Sequence, residues 1–211
     1  MVPKKIDREA RRREIYQAAM ALFAQKGVSR TTIQEIADSV SIGKGTIYEY
    51  FNSKEEILVA SFHYMQEEAE SYLDKELQED VQDPVELLKG FFEGFIRYLE
   101  SIPDNVTKIL LIFWAEAILQ DPRADPADIY PALDLRAMYE NYIHLISTII
   151  ESGIRQQYFH EHTDPAKVAS ALVGAADGLM LQWVLFKDRV DIRAIIDEFL
   201  EVVLYGIRRQ D

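Results

Sequence analysis

Residues 31–58 read TTIQEIADSVSIGKGTIYEYFNSKEEIL, and the fold turns on how they divide. Ile33, Ile36 and Ala37 fall on one face of a helix, and Ile47 and Phe51, four apart, form the inward face of a second, shorter one. Only a tight turn fits between Val40 and Gly43. The first helix opens on a capping box, either Thr31 with Gln34 or Thr32 with Glu35; the sequence leaves that register open. Ser53 and Glu56 form another box, which starts a long helix expected to reach about Glu79. Upstream, Ile15, Ala18, Ala19, Leu22 and Phe23 line one face of a helix from about Asp7 to Lys26, with Gly27 as its stop.

Two short helices joined by a tight turn and braced by a longer one make a helix-turn-helix, whose second helix lies in the major groove of DNA. That geometry explains why GKGTIYEYF (43–51) gathers donors and flat phenols with a single carboxylate. Gly43 and Gly45 let backbone approach a phosphate, Lys44 adds a point charge, and Thr46 and Tyr48 point outward with hydroxyl, methyl and ring. Lys54, in the first turn of the long helix, is expected to clamp the phosphate backbone. Glu49 either accepts a bond from cytosine N4 or faces solvent.

Charge agrees with this division. The 211-residue chain carries −13 overall, but residues through Lys54 hold 10 basic and 6 acidic side chains, net +4, and the remainder 13 and 30, net −17. A basic head on an acidic body meets a polyanion only through the head. Hydrophobic residues make up 48%, enough for a real core, and there is no cysteine, which excludes disulfides and thiolate metal sites and fits a reducing compartment. No apolar stretch follows MVPKKIDREARRR, so a signal peptide is not expected. Residues 166–186 are long and apolar, but Lys167, Ser170, Asp177 and Gln182 interrupt them, and a buried helix of a soluble, cytoplasmic protein is the expected reading.

No run alternates apolar and polar residues, so the chain reads as all-α, nine helices in two parts. The expected domains are a helix-turn-helix head over 1–54 and a larger helical body over 55–211. Asp83-Pro84 opens helix five, helix six starts near Pro103 and runs to about Gln120, and QDPRADPADIYP (120–131) is a proline-rich loop. Helix seven runs to about Gln157, helix eight from Asp164-Pro165 to about Lys187, and helix nine from about Asp191 to Arg209.

The 31–58 segment, together with IYQAAMALFAQKG before it, resembles the DNA-binding segment of the TetR family of one-component transcriptional repressors. Paired threonines, Ile-Ala, a turn, Lys-Gly-Thr, an aliphatic, Tyr, then Phe, Ser-Lys and an acid stand in register over about residues 8–60. The resemblance implies phosphate binding by Thr31, Thr32, Tyr48 and Lys54, with Lys44, Gly45, Thr46 and Tyr50 at or near bases and backbone. Arg30 is a further phosphate candidate on charge alone. The chain departs from the family twice: the turn usually holds glycine and the recognition helix a serine cap, where Ser41 and Gly43 stand here. A left-handed Ser41 costs about 1 kcal/mol, and glycine as the cap loses only a few tenths.

The same resemblance implies a small lipophilic effector bound within the body. The aromatic faces of helices five, six and seven supply candidate lining residues: Phe91, Phe95, Tyr98, Phe113, Glu116, Tyr139 and Tyr142. Helix six is apolar nearly all round and is expected to be central and buried. Glu116, on its apolar stripe, either pairs with Arg97, Arg136 or a tyrosine hydroxyl, or faces a cavity. Gly174 and Gly178 on helix eight, with Phe199 and Val202 on helix nine, suggest a two-fold helical interface, and Asp177 would need a partner across it. The expected partners are therefore double-stranded DNA, a small-molecule effector and a second copy of the chain, with no membrane.

Other classes account for less. His160, Glu161, His162 and Asp164 form a connector that could hold a metal, but a solvated loop is the expected reading, and no cofactor, metal or catalytic pair is expected. A helical enzyme or protein-binding module explains the body but not residues 30–54. A transcriptional activator on the same fold stays open beside the repressor. The expected mechanism is a dimer on an inverted repeat, with effector tilting helix four and spoiling the spacing of the two heads.

Overall fold

The computed structural model describes residues 8–77, 82–119, 135–187 and 189–209, with the side chains of 117 and 118 left aside. Among them the chain is all-α. The helices are α1 (Arg8–Lys26), α2 (Ile33–Ser39), α3 (Lys44–Tyr48), α4 (Lys54–Glu76), α5 (Pro84–Ser101), α6 (Ile109–Leu119), α7 (Leu135–Arg155), α8 (Pro165–Leu185) and α9 (Ile192–Ile207). A single antiparallel bridge, Phe159 with Arg208, is the only extended pairing among the described residues. The proline-rich stretch 120–131 lies outside them.

Packing divides the described residues into two compact units, one drawn from 1–67 and 102–133, the other from 68–101 and 134–211. The helix α4 begins in the first unit and ends in the second.

In the first unit Ile15, Ala19 and Phe23 of α1, Ile36 and Ala37 of α2, Ile47 of α3 and Phe51 are all at most 1% exposed and form the core of the head. Tyr16 packs on Tyr64 of α4 with ring centroids 4.9 Å apart, and Phe62 meets Phe113 of α6 edge-on at 5.2 Å. Two expectations for helix six are corrected. It starts at Ile109, because residues 103–108 close in tight turns, with the Val106 amide donating to the Pro103 carbonyl at 2.8 Å and Ile109 to Val106 at 2.8 Å. Nor is it buried all round: of its described side chains only Ile109 and Phe113 are, because one stripe is all that its unit covers.

In the second unit α5 approaches the end of α4 at its two glycines. A Cβ on Gly94 would stand 3.1 Å from Leu73 Cα and from the Tyr72 carbonyl, and one on Gly90 3.1 Å from the Glu76 carbonyl. Side chains larger than hydrogen would push the backbones apart. Beside this seat Glu93 accepts from Arg97, at 2.6 Å, and from Arg193 of α9; Arg97 also reaches Glu76 at 3.3 Å and Arg193 reaches Glu100 at 3.1 Å. Burial alone would raise the Glu93 carboxyl, but the two guanidinium donors hold it below its ordinary range. Asp83, Asp164 and Asp191 accept from amides at the starts of α5, α8 and α9, as their sequence positions indicate.

By composition α8 is long and apolar enough to cross a membrane. Here Leu172, Val173, Ala176, Met180 and Trp183 are buried, while half-buried Asp177 sits mid-helix, which favours a packed helix of a folded unit.

The end of α7 shows how tightly the second unit is closed. Gln157 takes a left-handed φ of 65°, Tyr158 donates back to the Gly153 carbonyl at 2.8 Å and Gln157 to Ile154 at 3.0 Å, a Schellman turn without glycine at the left-handed position. It folds the Phe159 ring, 1% exposed, over Gly153, where an added Cβ would lie 2.2 Å from the ring. Gly153→Ala is expected to destabilise the protein by about 1–3 kcal/mol, read as a lower denaturation midpoint in urea with an unchanged slope.

Candidate nucleic-acid interface

The capping register left open by the sequence is settled by hydrogen bonds at α2. Thr32 is the N-cap: its Oγ1 accepts from the Glu35 amide at 3.3 Å, and its own amide donates to Glu35 Oε2 at 2.9 Å. Lys26 also binds Glu35, and these donors, Lys26 first and then Thr32, hold the carboxyl down at about 2. The C-terminus of α1 is thereby tied to the first turn of α2.

The turn that follows explains the first departure from the family pattern. Ser41 has φ 55°, its amide donates to the Asp38 carbonyl at 3.1 Å, and Ile42 donates to Ala37 at 3.0 Å. This is a second Schellman turn, with serine at the position where glycine is free of strain. Gly43 then caps α3 in an extended conformation (φ −72°) without a side-chain bond.

On α3, Ile47 is fully buried while Lys44, Gly45 and Tyr48 are exposed; Thr46 and Tyr50 are half-buried. The Lys44 ammonium lies 5.9 Å from the Tyr48 ring centroid. A Cβ on Gly45 would meet nothing within 4 Å, so that side of the helix is open. The structure thus gathers Lys44, Gly45, Thr46 and Tyr48 on one short element.

Two of the expected phosphate ligands sit differently. Thr31 is 1% exposed and its hydroxyl donates to the Gly27 carbonyl at 2.9 Å, so it holds the α1–α2 link and is turned away from solvent. The Lys54 ammonium donates to the carbonyls of Val28, Ser29 and Thr31 at 2.9, 3.1 and 3.3 Å, so it holds that same link. The cause is physical: those carbonyls belong to a link with no helical partner, and an ammonium with three donors satisfies them together. Arg30, exposed, donates to the Lys26 carbonyl at 2.7 Å.

Sequence reasoning passed over the arginines of α1. Arg8 donates to the Glu49 carbonyl and Arg12 to the Tyr50 carbonyl, each at 3.0 Å, and the Arg12 guanidinium lies 4.5 Å from the Phe51 ring centroid. Arg11 pairs with Glu14 at 2.5 Å, and the Arg13 guanidinium lies 5.7 Å from the Tyr64 ring centroid, with its pKa raised by a hydrogen bond to Tyr16. The available signal was the one-turn spacing of Arg8 and Arg12, which puts both on one face. The Glu49 side chain is exposed.

The expected effector residues divide between the units. Phe113, buried, and Glu116, half-buried, belong to the first. In the second, Phe91 meets Tyr142 edge-on at 5.9 Å, and Tyr98 lies 6.1 Å from Tyr72; Phe91 and Tyr98 are buried, Phe95 and Tyr142 half-buried. Burial, with the charge of Glu70, pushes the Tyr142 phenol up to about 12. Asp177 has a partner within its own chain, a hydrogen bond from Tyr139, rather than one across an interface. The expected interface residues lie on an open face: additions to Gly174 or Gly178 would meet nothing within 4 Å, Phe199 is half-buried and Val202 is 63% exposed.

Comparison with known proteins identifies the family. Residues 15–60 match the model for bacterial regulatory proteins of the tetR family, and residues 84–204 that for the C-terminal part of BetI-type transcriptional repressors. The fatty acid metabolism regulator protein of Bacillus subtilis is 20% identical over 197 residues, covering 93% of this chain and 95% of its own. The transcriptional regulator TtgR of Pseudomonas putida is 24% identical over 206 residues, covering 93% and 91%. SmeT, the repressor of the Stenotrophomonas maltophilia multidrug efflux pump SmeDEF, superposes with a TM-score of 0.72 at 20% identity, over 94% of this chain and 91% of its own.

The Asp177 carboxyl is pushed up to about 6 by burial, against the bond from Tyr139. A raised folded value means that its stabilising contribution is complete below about pH 4, the usual unfolded value, and is lost as pH rises through 6. Asp177→Asn should keep the Tyr139 bond, flatten the melting temperature between pH 4 and 7, and raise it at pH 7.

Proposed function

We propose how this chain, which belongs to the tetR family of bacterial regulatory proteins, performs its work as a ligand-responsive, DNA-binding transcriptional repressor. Two copies bind an inverted-repeat operator, each placing α3 in the major groove, in successive grooves about 34–36 Å apart. The observation that carries this reading is the exposed face of α3, with Lys44, Gly45 and Tyr48 outward on a helix fixed from behind by Ile47 and Phe51. Lys44 supplies charge to a phosphate, the open backbone at Gly45 approaches closely, and Thr46 and Tyr48 offer hydroxyl, methyl and ring to base edges. Thr32 and Tyr50 flank this surface and contribute backbone contacts.

The second copy docks on α8 and α9. Gly174, Gly178, Leu181 and Leu185 follow one another along α8, and Ile195, Phe199 and Val202 along α9; Leu185 is 57% exposed and Ile195 39%. An apolar stripe with glycines that touch nothing supports close helix-on-helix packing between copies. The effector is a small lipophilic molecule held in the body, a reading supported by the aromatic cluster around Phe91, Tyr98 and Tyr142 and by the relative named for fatty acid metabolism. Its binding shifts α4 where Leu73 rides on Gly94, and α4 carries that shift to Lys54 and the head. A difference of a few kcal/mol between the two states suffices to empty an operator. The protein works in the cytoplasm, where the chromosome is.

Selection from random duplex DNA tests the reading: an enriched inverted repeat is the expected result, and no enrichment even at low salt would sink it. On the selected site, Lys44→Ala should weaken binding and reduce the slope of log K against log salt by about one. Val202→Glu should shift the protein to monomer in sedimentation and weaken operator binding, with helicity unchanged.

A further inference from the structure

The cluster REARRR (8–13) has the composition of a phosphate-binding segment, yet every arginine in it is engaged within the chain. Arg11 holds Glu14 and Arg13 holds Tyr16. Arg8 and Arg12, one helical turn apart, reach two successive carbonyls just beyond α3, those of Glu49 and Tyr50. The pairing has a structural cause. A helix leaves its last carbonyls without partners and presents its negative end there. Within α3 the Thr46 and Ile47 carbonyls already accept from the amides of Glu49, Tyr50 and Phe51, and the arginines reach the carbonyls that come next, those of the cap residue Glu49 and of Tyr50. The Asn52 amide and side-chain amide do not serve them, both being turned to Glu56, at 2.7 and 2.9 Å. The guanidinium of half-buried Arg12 also stands 4.5 Å from the Phe51 ring centroid, and that of Arg8 5.6 Å from the ring of Tyr50.

We propose that Arg8 and Arg12 are positioning residues for DNA recognition: they fasten the carboxyl end of α3 to α1 and so fix how Lys44–Tyr48 are presented to the groove. The proposal rests on the reading of α3 as the element that enters DNA. It assigns the arginines a role through the protein backbone, with no phosphate contact of their own. Their removal frees the carboxyl end of α3 while the buried Ile47 still holds its middle, so the helix survives but its orientation is no longer single.

Two measurements on the full-length protein test this, one of them independent of DNA. The first is amide hydrogen exchange of wild type and of Arg8→Ala/Arg12→Ala. Residues 44–51 should exchange at least tenfold faster in the variant, with the middle of α1 and of α4 unchanged. The second is binding to the selected operator across a salt series. The variant should lose about 10- to 100-fold in affinity, the scale of charge-assisted hydrogen bonds, with the salt slope of wild type. Unchanged exchange over 44–51 would overturn the proposal, as would a slope reduced by about two, the mark of direct phosphate contacts. If the double variant does not fold, the single Arg8→Ala, at the exposed start of α1, is judged by the same two criteria. Should wild type select no DNA sequence, the DNA-binding reading fails, while the exchange experiment still decides whether the arginines hold α3.

Discussion

A helix the length of α3 cannot hold itself together. Isolated helices shorter than about 12–15 residues are marginal in water, and the one in this chain that faces outward with Lys44 and Tyr48 spans only Lys44–Tyr48. Its shape must be imposed by its surroundings, and much of the head is explained by that need. Ile47 and Phe51 anchor it to the core, a Schellman turn through Ser41 sets where it begins, and Arg8 and Arg12 take up the Glu49 and Tyr50 carbonyls just beyond its end. Behind it, Lys54 closes the α1–α2 link from the start of α4.

This arrangement changes how the basic residues of the head are to be understood. Their count suggests a surface for a polyanion, but much of the charge is spent on protein carbonyls and carboxylates: Lys54 on three carbonyls, Lys26 on Glu35, Arg11 on Glu14. Lys44, exposed beside Tyr48, stands apart from these. On the proposed reading the charge left to meet DNA is concentrated on α3, and the acidic remainder of the chain would disfavour contact through other surfaces. In the second unit charge does a different task. Glu93 and Arg193 join α5 to α9 beside the glycines on which the end of α4 rests.

Much of this was legible in the sequence, for reasons that are local. Helical periodicity, capping residues and Gly27 mark where α1, α2, α5, α8 and α9 begin or end, because each signal acts within a few residues. The family pattern raised a left-handed Ser41 as a condition of the turn, and its φ of 55° meets it. The fastenings between distant segments were not legible. Nothing near Lys54 announces that its acceptors lie at Val28 to Thr31, and Arg12 gives no sign of the Tyr50 carbonyl. Thr31 reads as one of a pair of phosphate ligands, but only one of two adjacent side chains can face outward from a cap, and that is Thr32. Helix six misled through composition, since its apolar residues surround the helix while a single stripe of it is covered.

The central claim is that α3 reads DNA from the major groove as a pair of copies, and groove-specific methylation interference tests it most directly. Dimethyl sulfate modifies guanine N7 in the major groove and adenine N3 in the minor groove. If the account is right, N7 methylation at positions in two half-sites about one helical turn apart will prevent binding, while N3 methylation there will be tolerated. Interference confined to adenine N3, or N7 interference in a single half-site, would contradict it.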